Sequence, residues 1–456
     1  MEEFKTDTCL KMNPRIRADD LIISEEIEQV NLLFEATVGQ LFGNYKNGNF
    51  SSLLGDIINF FHFVRQMDIY IPVLLPEYNF ASFFCEIFSQ LDLAYLYTDA
   101  LRVLNFLVCT HGFDSRELKT VSFFDIVENN IMPNLKNPST CFELIANIIA
   151  NDPNGRDVYF QSSAFEHSIQ MFLSSDDFAL KKAITICIHN GIATEPFPCL
   201  DDIIPLHDFL NQVLEDITID PSISLWILWD IIKMNTDSTL SFLESFDRGL
   251  LFSIEVEISL DTAMLLFEII IWFLSNKDNK MYSVFTWIPL INTAKFFGDE
   301  NLNELFCIIA TEATDDRRNI SNAFKCDVVN FIIFISANSS YTIRASAMSF
   351  LSAIIRAGNI NDISRLLQTG YLSLAAKFLD SESIELRPAV IKSLGMLGLV
   401  LMSDRLDIDY DFISNNEMCN AILGLKEEDL TEEDKGLILL YLQGCKKLEE
   451  DHSSEF

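Results

Sequence analysis

The sequence predicts an all-α protein, a right-handed α-solenoid in which short helices stack along the chain. Apolar residues recur at helical spacing through most of the 456 residues, with short polar breaks between the apolar runs. A unit of about 40 residues also recurs, and 43 residues separate the equivalent positions Asn147 and Asn190. With only 16 Gly and 12 Pro, and without sustained alternation of apolar and polar residues, the chain gives no indication of a sheet.

Charge and composition indicate the kind of partner. The chain carries 67 acidic and 32 basic residues, a formal net charge of −35, and 49% of its residues are hydrophobic. A strongly negative surface repels phosphate backbones and anionic lipids, so we expect neither nucleic acid nor membrane as a partner. The same charge favours protein partners with basic, Lys/Arg-rich segments.

The cysteines and the N-terminus indicate the compartment. The ten cysteines are scattered singly, without a Cys-x-x-Cys pair, which fits a reducing compartment. The N-terminus does not resemble a signal peptide, and no apolar run reaches the ~20 residues that span a bilayer. We therefore expect a soluble protein of the cytoplasm, the nucleus or both.

In chain order, residues 1–24 are polar and mixed in charge, and they predict a mostly disordered arm. Residues 25–448 predict the solenoid, beginning with a helix from Glu25, a turn at residues 44–49 and a helix over residues 53–64. Residues 449–456 predict an acidic C-terminal tail.

Polar breaks divide the rest of the solenoid, and several place Ser or Asp where a helix N-cap is needed. The breaks are residues 112–115, 136–139, 151–155, 174–177, 220–222, 276–279, 298–301, 314–316, 337–340, 358–361 and 380–383.

Superposing copies of the repeat defines one reference position in the third helix of each unit. The spacing from Leu173 to Ala183 matches that from Leu379 to Ala389. The reference positions are Asn105, Asn147, Asn190, Asp230, Glu268, Ala310, Ala353 and Met396. Two residues before each of them lies an aliphatic residue, as the core side of a stacked helix requires: Val103, Ile145, Ile188, Leu228, Leu266, Ile308, Leu351 and Leu394. At positions 105, 268 and 310, the sequence also allows a register shifted by one residue.

Each unit leaves its apolar face open until a neighbour covers it. Stacking then builds one continuous core and an extended concave surface lined by the third helices. Such a surface serves binding and is rarely catalytic.

The repeats resemble armadillo repeats over roughly residues 45–400, with about nine to ten repeats including caps in the predicted solenoid. The local likeness is to the importin-alpha (karyopherin-alpha) family. Residues 146–160 look like that family's second repeat, residues 189–206 like its third-to-fourth junction, and residues 225–231 like its Trp-bearing fourth repeat.

The resemblance implies an adaptor that binds basic, extended peptides of the nuclear localisation signal type for nuclear import, with nuclear transport carriers as partners. In the family, Asn side-chain amides bind the main chain of the peptide, and Trp rings pack against the aliphatic part of lysine side chains. Nearby acidic groups select the cationic ends of these side chains. Carried onto this sequence, the peptide-binding residues are Asn105, Asn147, Asn190, Trp226, Asp230 and Glu268.

The chain departs from the family at most of the Trp positions. Only Trp226 is a Trp; the others are Leu101, Glu143, Ile186, Met264, Phe306, Ser349 and Lys392. The arm also lacks the family's strongly basic carrier-binding helix. The alternative function is therefore a general armadillo scaffold for protein–protein interaction without a role in transport. For the asparagines, the structural alternatives are helix capping or solvent exposure; for Trp226, a place in the core or between repeats; for Asp230 and Glu268, a solvated helix surface.

No motif predicts an enzyme, a cofactor or a metal site. The six histidines show no metal-ligand spacing. Residues 407–411 imitate the start of a calcium loop, but Phe412 and Met418 stand where Gly and Glu are needed. Phosphate-binding glycine loops and nucleophile elbows do not occur.

Overall fold

The computed structural model describes residues 24–66, 78–110, 113–150, 152–215, 221–234, 239–254, 258–337, 339–380, 387–403 and 416–454. Every regular element in these ranges is helical, which confirms the all-α class and is consistent with an α-solenoid. The chain divides into two compact units, Met1–Asp247 and Arg248–Phe456. The predicted arm, apart from Ser24, lies outside the described residues.

The first unit consists of α-helices joined by short turns and 3-10 segments. Its helices are α1 (Ser24–Lys46), α2 (Phe50–Gln66), α3 (Phe80–Phe88), α4 (Tyr97–Val108), α5 (Val121–Ile126, continuing through a π-helical turn at Val127–Ile131 to Met132–Asn134), α6 (Ser139–Ile149), α7 (Pro153–Phe160), α8 (Ser163–Ser174), α9 (Phe178–Ala193), α10 (Leu206–Glu215), α11 (Pro221–Lys233) and the short α12 (Thr239–Phe242). The 3-10 segments are Leu91–Leu96, Arg116–Lys119, Leu200–Ile203 and Leu243–Ser245.

The predicted third helices pack in succession in the first unit. α4 packs on α6, α6 on α9, and α9 on α11, and the preceding α2, which was not among the predicted third helices, packs on α4. The aliphatic positions that the repeat assigns to the core side, Val103, Ile145, Ile188 and Leu228, are completely buried. The repeat period read from the sequence therefore identifies the helices that line the core of this unit.

Aspartates start many of these helices, as the polar breaks predicted. The carboxylates of Asp152, Asp177, Asp278, Asp299 and Asp316 each accept a backbone N–H hydrogen bond at the start of a helix. Such a cap satisfies donors that the first turn leaves without partners.

A buried arginine fixes the chain after α9. The Arg156 side chain on α7 is 2% exposed. Its guanidinium donates to the carbonyl of Thr194 at 2.6 Å and to the carbonyl of Pro196, and it pairs with Asp157. A buried charge is tolerated only with such partners, so α7 and the proline-containing segment after α9 are held together.

The second unit repeats a three-helix pattern in which two shorter helices precede a long one. Its helices are α13 (Leu260–Ser275), α14 (Asn279–Val284), α15 (Trp287–Phe297), α16 (Glu300–Ala313), α17 (Arg317–Lys325), α18 (Val328–Ser336), α19 (Tyr341–Ala357), α20 (Ile360–Gln368), α21 (Tyr371–Asp380), α22 (Arg387–Leu401), α23 (Asn416–Gly424) and α24 (Glu432–Ser454). The 3-10 segments are Arg248–Phe252 and Glu427–Asp429. The long helices α13, α16, α19, α22 and α24 pack in succession.

The predicted register is wrong at one repeat. Ile308 was placed on the core side of α16, but it is half-buried, whereas Ile309 and Ala310 are completely buried. The error is one residue, and it arises because consecutive isoleucines satisfy the same sequence pattern equally well. At Leu266, Leu351 and Leu394 the expected core residues are buried.

Glycines let the last two long helices approach closely. A Cβ atom added to Gly398 on α22 would lie 2.4 Å from the backbone oxygen of Leu440 on α24. A Cβ atom added to Gly395 or Gly444 would lie 2.5 or 2.7 Å, respectively, from an atom of the opposite helix. α24 continues through the acidic segment predicted as a tail and ends at Ser454.

Candidate functional site

Two of the predicted binding asparagines, Asn105 and Asn147, are in direct contact. The side-chain nitrogen of Asn147 on α6 donates a hydrogen bond of 2.7 Å to the side-chain oxygen of Asn105 on α4. Asn105 is 8% exposed, and Asn147 is half-buried. The packing of α4 on α6 therefore brings the two amides together, but a peptide that binds there has to exchange this hydrogen bond for its own.

Asn190 continues this line on the next helix, α9. Its side-chain nitrogen donates to the carbonyl of Ala146 at 3.3 Å, which ties α9 to α6. Asn190 is half-buried, and within the described part of the chain its side-chain oxygen accepts no hydrogen bond. That oxygen is an available acceptor for an N–H group of a ligand. We call the surface formed by Asn105, Asn147 and Asn190 the asparagine surface.

The lysine-binding position that was predicted at Trp226 on α11 is occupied by a lysine of the chain itself. Trp226 is half-buried. The Nζ atom of Lys233 lies 5.5 Å from the centroid of the Trp226 ring and 5.6 Å from that of Trp229, within range of a cation–π interaction. The same Nζ lies 3.7 Å from Oδ1 of Asp230. Lys233 therefore already has the two kinds of contact that were expected for a ligand lysine.

Asp230 lies in the core, where it faces a histidine. It is 6% exposed, and its Oδ2 lies 3.6 Å from Nδ1 of His189 on α9. Burial raises the pKa of Asp230 to about 6, and Lys233 partly opposes this shift. Burial, with the charge of Lys233, lowers the pKa of His189 to about 4. His189 is therefore neutral at pH 7 and does not form an ion pair with Asp230.

These opposite shifts predict opposite pH effects on stability. The raised pKa of Asp230 contributes to folding stability. This contribution is fully present below the unfolded pKa of 3.8 and is lost as the pH rises through the folded pKa of about 6. The contribution of His189 is present above 6.5 and is lost as the pH falls through about 4. Relative to the wild type, we expect Asp230→Asn to be more stable at pH 7 than at pH 4 by about 2 kcal/mol.

His189→Gln is the matched variant, because we expect the opposite sign: relative to the wild type it gains stability as the pH falls. Urea unfolding measured from pH 4 to pH 7 tests both variants. Stability curves of the two variants that run parallel to the wild-type curve would contradict the assigned shifts.

The remaining predicted site residue belongs to the second unit. Glu268 lies on α13 and is half-buried.

A pocket next to the asparagine surface contains residues that the sequence analysis did not single out. It has a volume of about 220 Å³ between α2, α4 and α6. Its lining includes Phe61, Arg65, Arg102, Asn105, Phe106 and Glu143. Arg102 precedes Asn105 by three residues and so shares its helix face, a signal that the sequence did contain. The proximity of Arg65 depends on the packing of α2 on α4, for which the sequence carries no comparable signal.

The exposed charged side chains on α2, α4, α6, α9 and α11 are cationic. They are Arg65, Arg102, Lys182 and Lys233. Asp99 and Glu143 are half-buried, and burial raises the pKa of Glu143. Asp56 and Asp230 are buried. A chain of net charge −35 therefore has a local excess of positive charge on these helices.

The described ranges show no sign of a metal site or a membrane span. They contain no cluster of His, Cys, Asp or Glu that could hold a metal ion. None of the helices in these ranges is long and apolar enough to span a membrane. Among the described residues eight cysteines are free thiols, and burial raises the pKa of Cys141, Cys187 and Cys307.

Comparison with known proteins places the fold but not a family. No family model and no curated protein matches the chain. A crystal structure described as that of an engineered protein has a similar fold, with a TM-score of 0.55 and 11% sequence identity, covering 96% of this chain and 99% of that one. At this identity the similarity supports the all-helical fold alone.

Proposed function

We propose that the chain is a non-enzymatic, protein-binding adaptor built of armadillo-type repeats in a right-handed solenoid. Support for the repeat type comes from the second unit, where three sets of three helices each end in the longest helix, at α16, α19 and α22. The armadillo likeness of the sequence and the succession of packed long helices agree with this arrangement. Proteins of this architecture bind partners on the surface of the stacked helices.

The observation that carries the proposal is the line of amides on α4, α6 and α9. Asn147 contacts Asn105, and Asn190 bonds to the residue before Asn147. An amide offers both a donor and an acceptor to a peptide main chain. Packed helices lie ~10 Å apart, and an extended chain advances ~3.3 Å per residue. One amide per helix thus matches about every third residue of an extended peptide.

The sequence predicts two adaptor functions, a general scaffold and an adaptor that binds nuclear localisation signals. The geometry favours the general scaffold. Lysine recognition needs open aromatic rings and accessible carboxylates. Here Trp226 has Lys233 within 5.5 Å, and Asp230 is buried. A role in nuclear import and the recruitment of a transport carrier remain predictions of the importin-alpha likeness.

The test is to select peptides of about ten residues from a random displayed library against the full-length chain. Their affinities are then measured by fluorescence anisotropy. We expect the double variant Asn147→Ala/Asn190→Ala to bind the selected peptides about tenfold more weakly, a loss of about 1.4 kcal/mol for the missing main-chain hydrogen bonds.

Asn134→Ala is the matched control, because Asn134 is exposed at the end of α5, outside the asparagine surface. Circular dichroism establishes that both variants remain helical. If the selected peptides bind the double variant as tightly as the wild type, the asparagine surface is not the peptide-binding site.

A further inference from the structure

We propose that the pocket between α2, α4 and α6 binds a carboxylate side chain, and that the adaptor's partner is an extended acidic segment of another protein. This inference rests on the proposed function and specifies the partner of the same surface. It differs from the expectation, drawn from net charge and from the importin-alpha likeness, that the ligand is basic.

The first argument is that the two arginines of the pocket are available to a ligand. Arg65 is exposed, its guanidinium lies 5.6 Å from the Phe61 ring, and it forms no ion pair with any described residue. Arg102 is 57% exposed and makes one contact of 3.4 Å with Asp99. Exposed pairs of this kind contribute little, so a ligand carboxylate can compete for Arg102 at small cost. A guanidinium also matches a carboxylate in geometry, since it can donate two parallel hydrogen bonds.

The second argument is the charge balance in the pocket. Glu143 is the carboxylate among its lining residues, it is half-buried, and its burial favours the neutral form. A basic ligand would therefore meet two guanidinium groups and one carboxyl group whose ionised form is disfavoured by burial. An acidic ligand would gain two cationic partners in a partly desolvated site, where such contacts are stronger than in water.

The third argument is that the positive charge continues along the asparagine surface. Lys182 on α9 is exposed and has no ion-pair partner among the described residues. It precedes Asn190 by two helical turns on the same face of α9. Acidic residues about three positions apart in an extended segment would therefore meet the pocket, then α6, then Lys182.

Apolar groups set a further requirement on the ligand. Phe61 and Phe106 line the pocket beside the arginines. A ligand side chain next to the carboxylate gains by covering these rings, so the preferred segment has apolar residues beside its acidic ones.

The test uses three fluorescein-labelled peptides of about ten residues and the full-length chain. All three carry one variable residue at every third position with Leu or Phe beside it, and the variable residue is Glu in the first peptide, Gln in the second and Lys in the third. Binding is measured by anisotropy for the wild type, Arg65→Gln/Arg102→Gln, Arg116→Gln and Asn147→Ala. Arg116→Gln removes the same charge from an exposed arginine outside this surface.

We expect the Glu peptide to bind most tightly and the Lys peptide most weakly. The double arginine variant should weaken binding of the Glu peptide by about tenfold and leave the Gln peptide unchanged. Added salt should reduce the difference between the Glu and Gln peptides. Arg116→Gln should bind all three peptides like the wild type.

Two outcomes separate this inference from the proposed function. If the Lys peptide binds most tightly, or the double arginine variant binds the Glu peptide unchanged while Asn147→Ala weakens binding, the acidic partner is wrong and the adaptor proposal stands. If none of the peptides binds, or Asn147→Ala leaves every affinity unchanged, the adaptor proposal fails and the acidic partner fails with it.

Discussion

Asp278→Ala is expected to destabilise the second unit by about 3–5 kcal/mol, because it removes the carboxylate that pairs with a buried guanidinium. Nε and Nη2 of Arg248 donate to Oδ2 of Asp278 at 2.9 and 2.7 Å. The two side chains are 3% and 8% exposed. The other carboxylate oxygen of Asp278 accepts from the backbone N–H groups of Lys280 and Met281 and so caps α14. Removing the carboxylate thus removes both the counter-ion and the helix cap.

Asp299→Ala is the matched control, since Asp299 caps α16 through the N–H groups of Asn301 and Leu302 without an ion pair. Its loss should cost about 1 kcal/mol, the usual value of a cap. Urea unfolding followed by circular dichroism compares the two variants. A cost for Asp278→Ala no larger than that for Asp299→Ala would show that the ion pair contributes nothing.

A second variant separates the buried charge from the cap. Asp278→Asn combined with Arg248→Met removes both charges and keeps a residue that caps well. We expect this double variant to recover most of the stability that Asp278→Ala loses, because replacing both members of a buried pair by neutral groups avoids their desolvation.

Gly398→Ala is expected to destabilise the packing of α24 on α22 by about 3 kcal/mol or more. The added Cβ would lie 2.4 Å from the oxygen of Leu440 and 2.5 Å from the backbone nitrogen of Tyr441. Backbone atoms cannot move aside as a flexible side chain can, so the two helices have to separate. Contacts of buried residues such as Tyr441 and Leu397 would weaken along the interface. Hydrogen exchange of residues 432–454 measures the loss of protection.

Gly436→Ala is the control on the same helix. No atom lies within 4 Å of its added Cβ. Since alanine is favoured over glycine in a helix by about 0.5–1 kcal/mol, this variant should increase stability. If Gly398→Ala has the same effect as Gly436→Ala, the close approach of α22 and α24 is not a structural constraint.

The sequence predicted the helical architecture well because its signals are local. Aspartates such as Asp152 and Asp177 occupy cap positions, and a cap depends only on the next few residues. The period of the aliphatic positions identified the helices that pack in succession. The register failed at Ile308, where the neighbouring Ile309 fits the same pattern and only the packing of α16 on its neighbours distinguishes the two.

The candidate site could be predicted only in part. Asn105 and Asn147 were placed on equivalent positions of adjacent repeats, and the structure brings them to 2.7 Å. Lys233 was not expected at the ring of Trp226, seven residues earlier in the helix, because the side chains that meet on one helix depend on which face packing buries. It also did not indicate Arg65, whose partners in the pocket come from helices distant in sequence.

The sequence by itself determined the all-helical class, the starts of many helices and the length of the repeat. It did so because helical periodicity and capping are properties of short segments. Only the tertiary structure decided which charges share a surface. A net charge of −35 is a sum over the whole chain, whereas a ligand meets the side chains that packing leaves exposed. On α2, α4, α6, α9 and α11 packing buries Asp56 and Asp230 and leaves Arg65, Arg102 and Lys182 exposed, so the exposed charge of these helices is opposite in sign to the net charge of the chain.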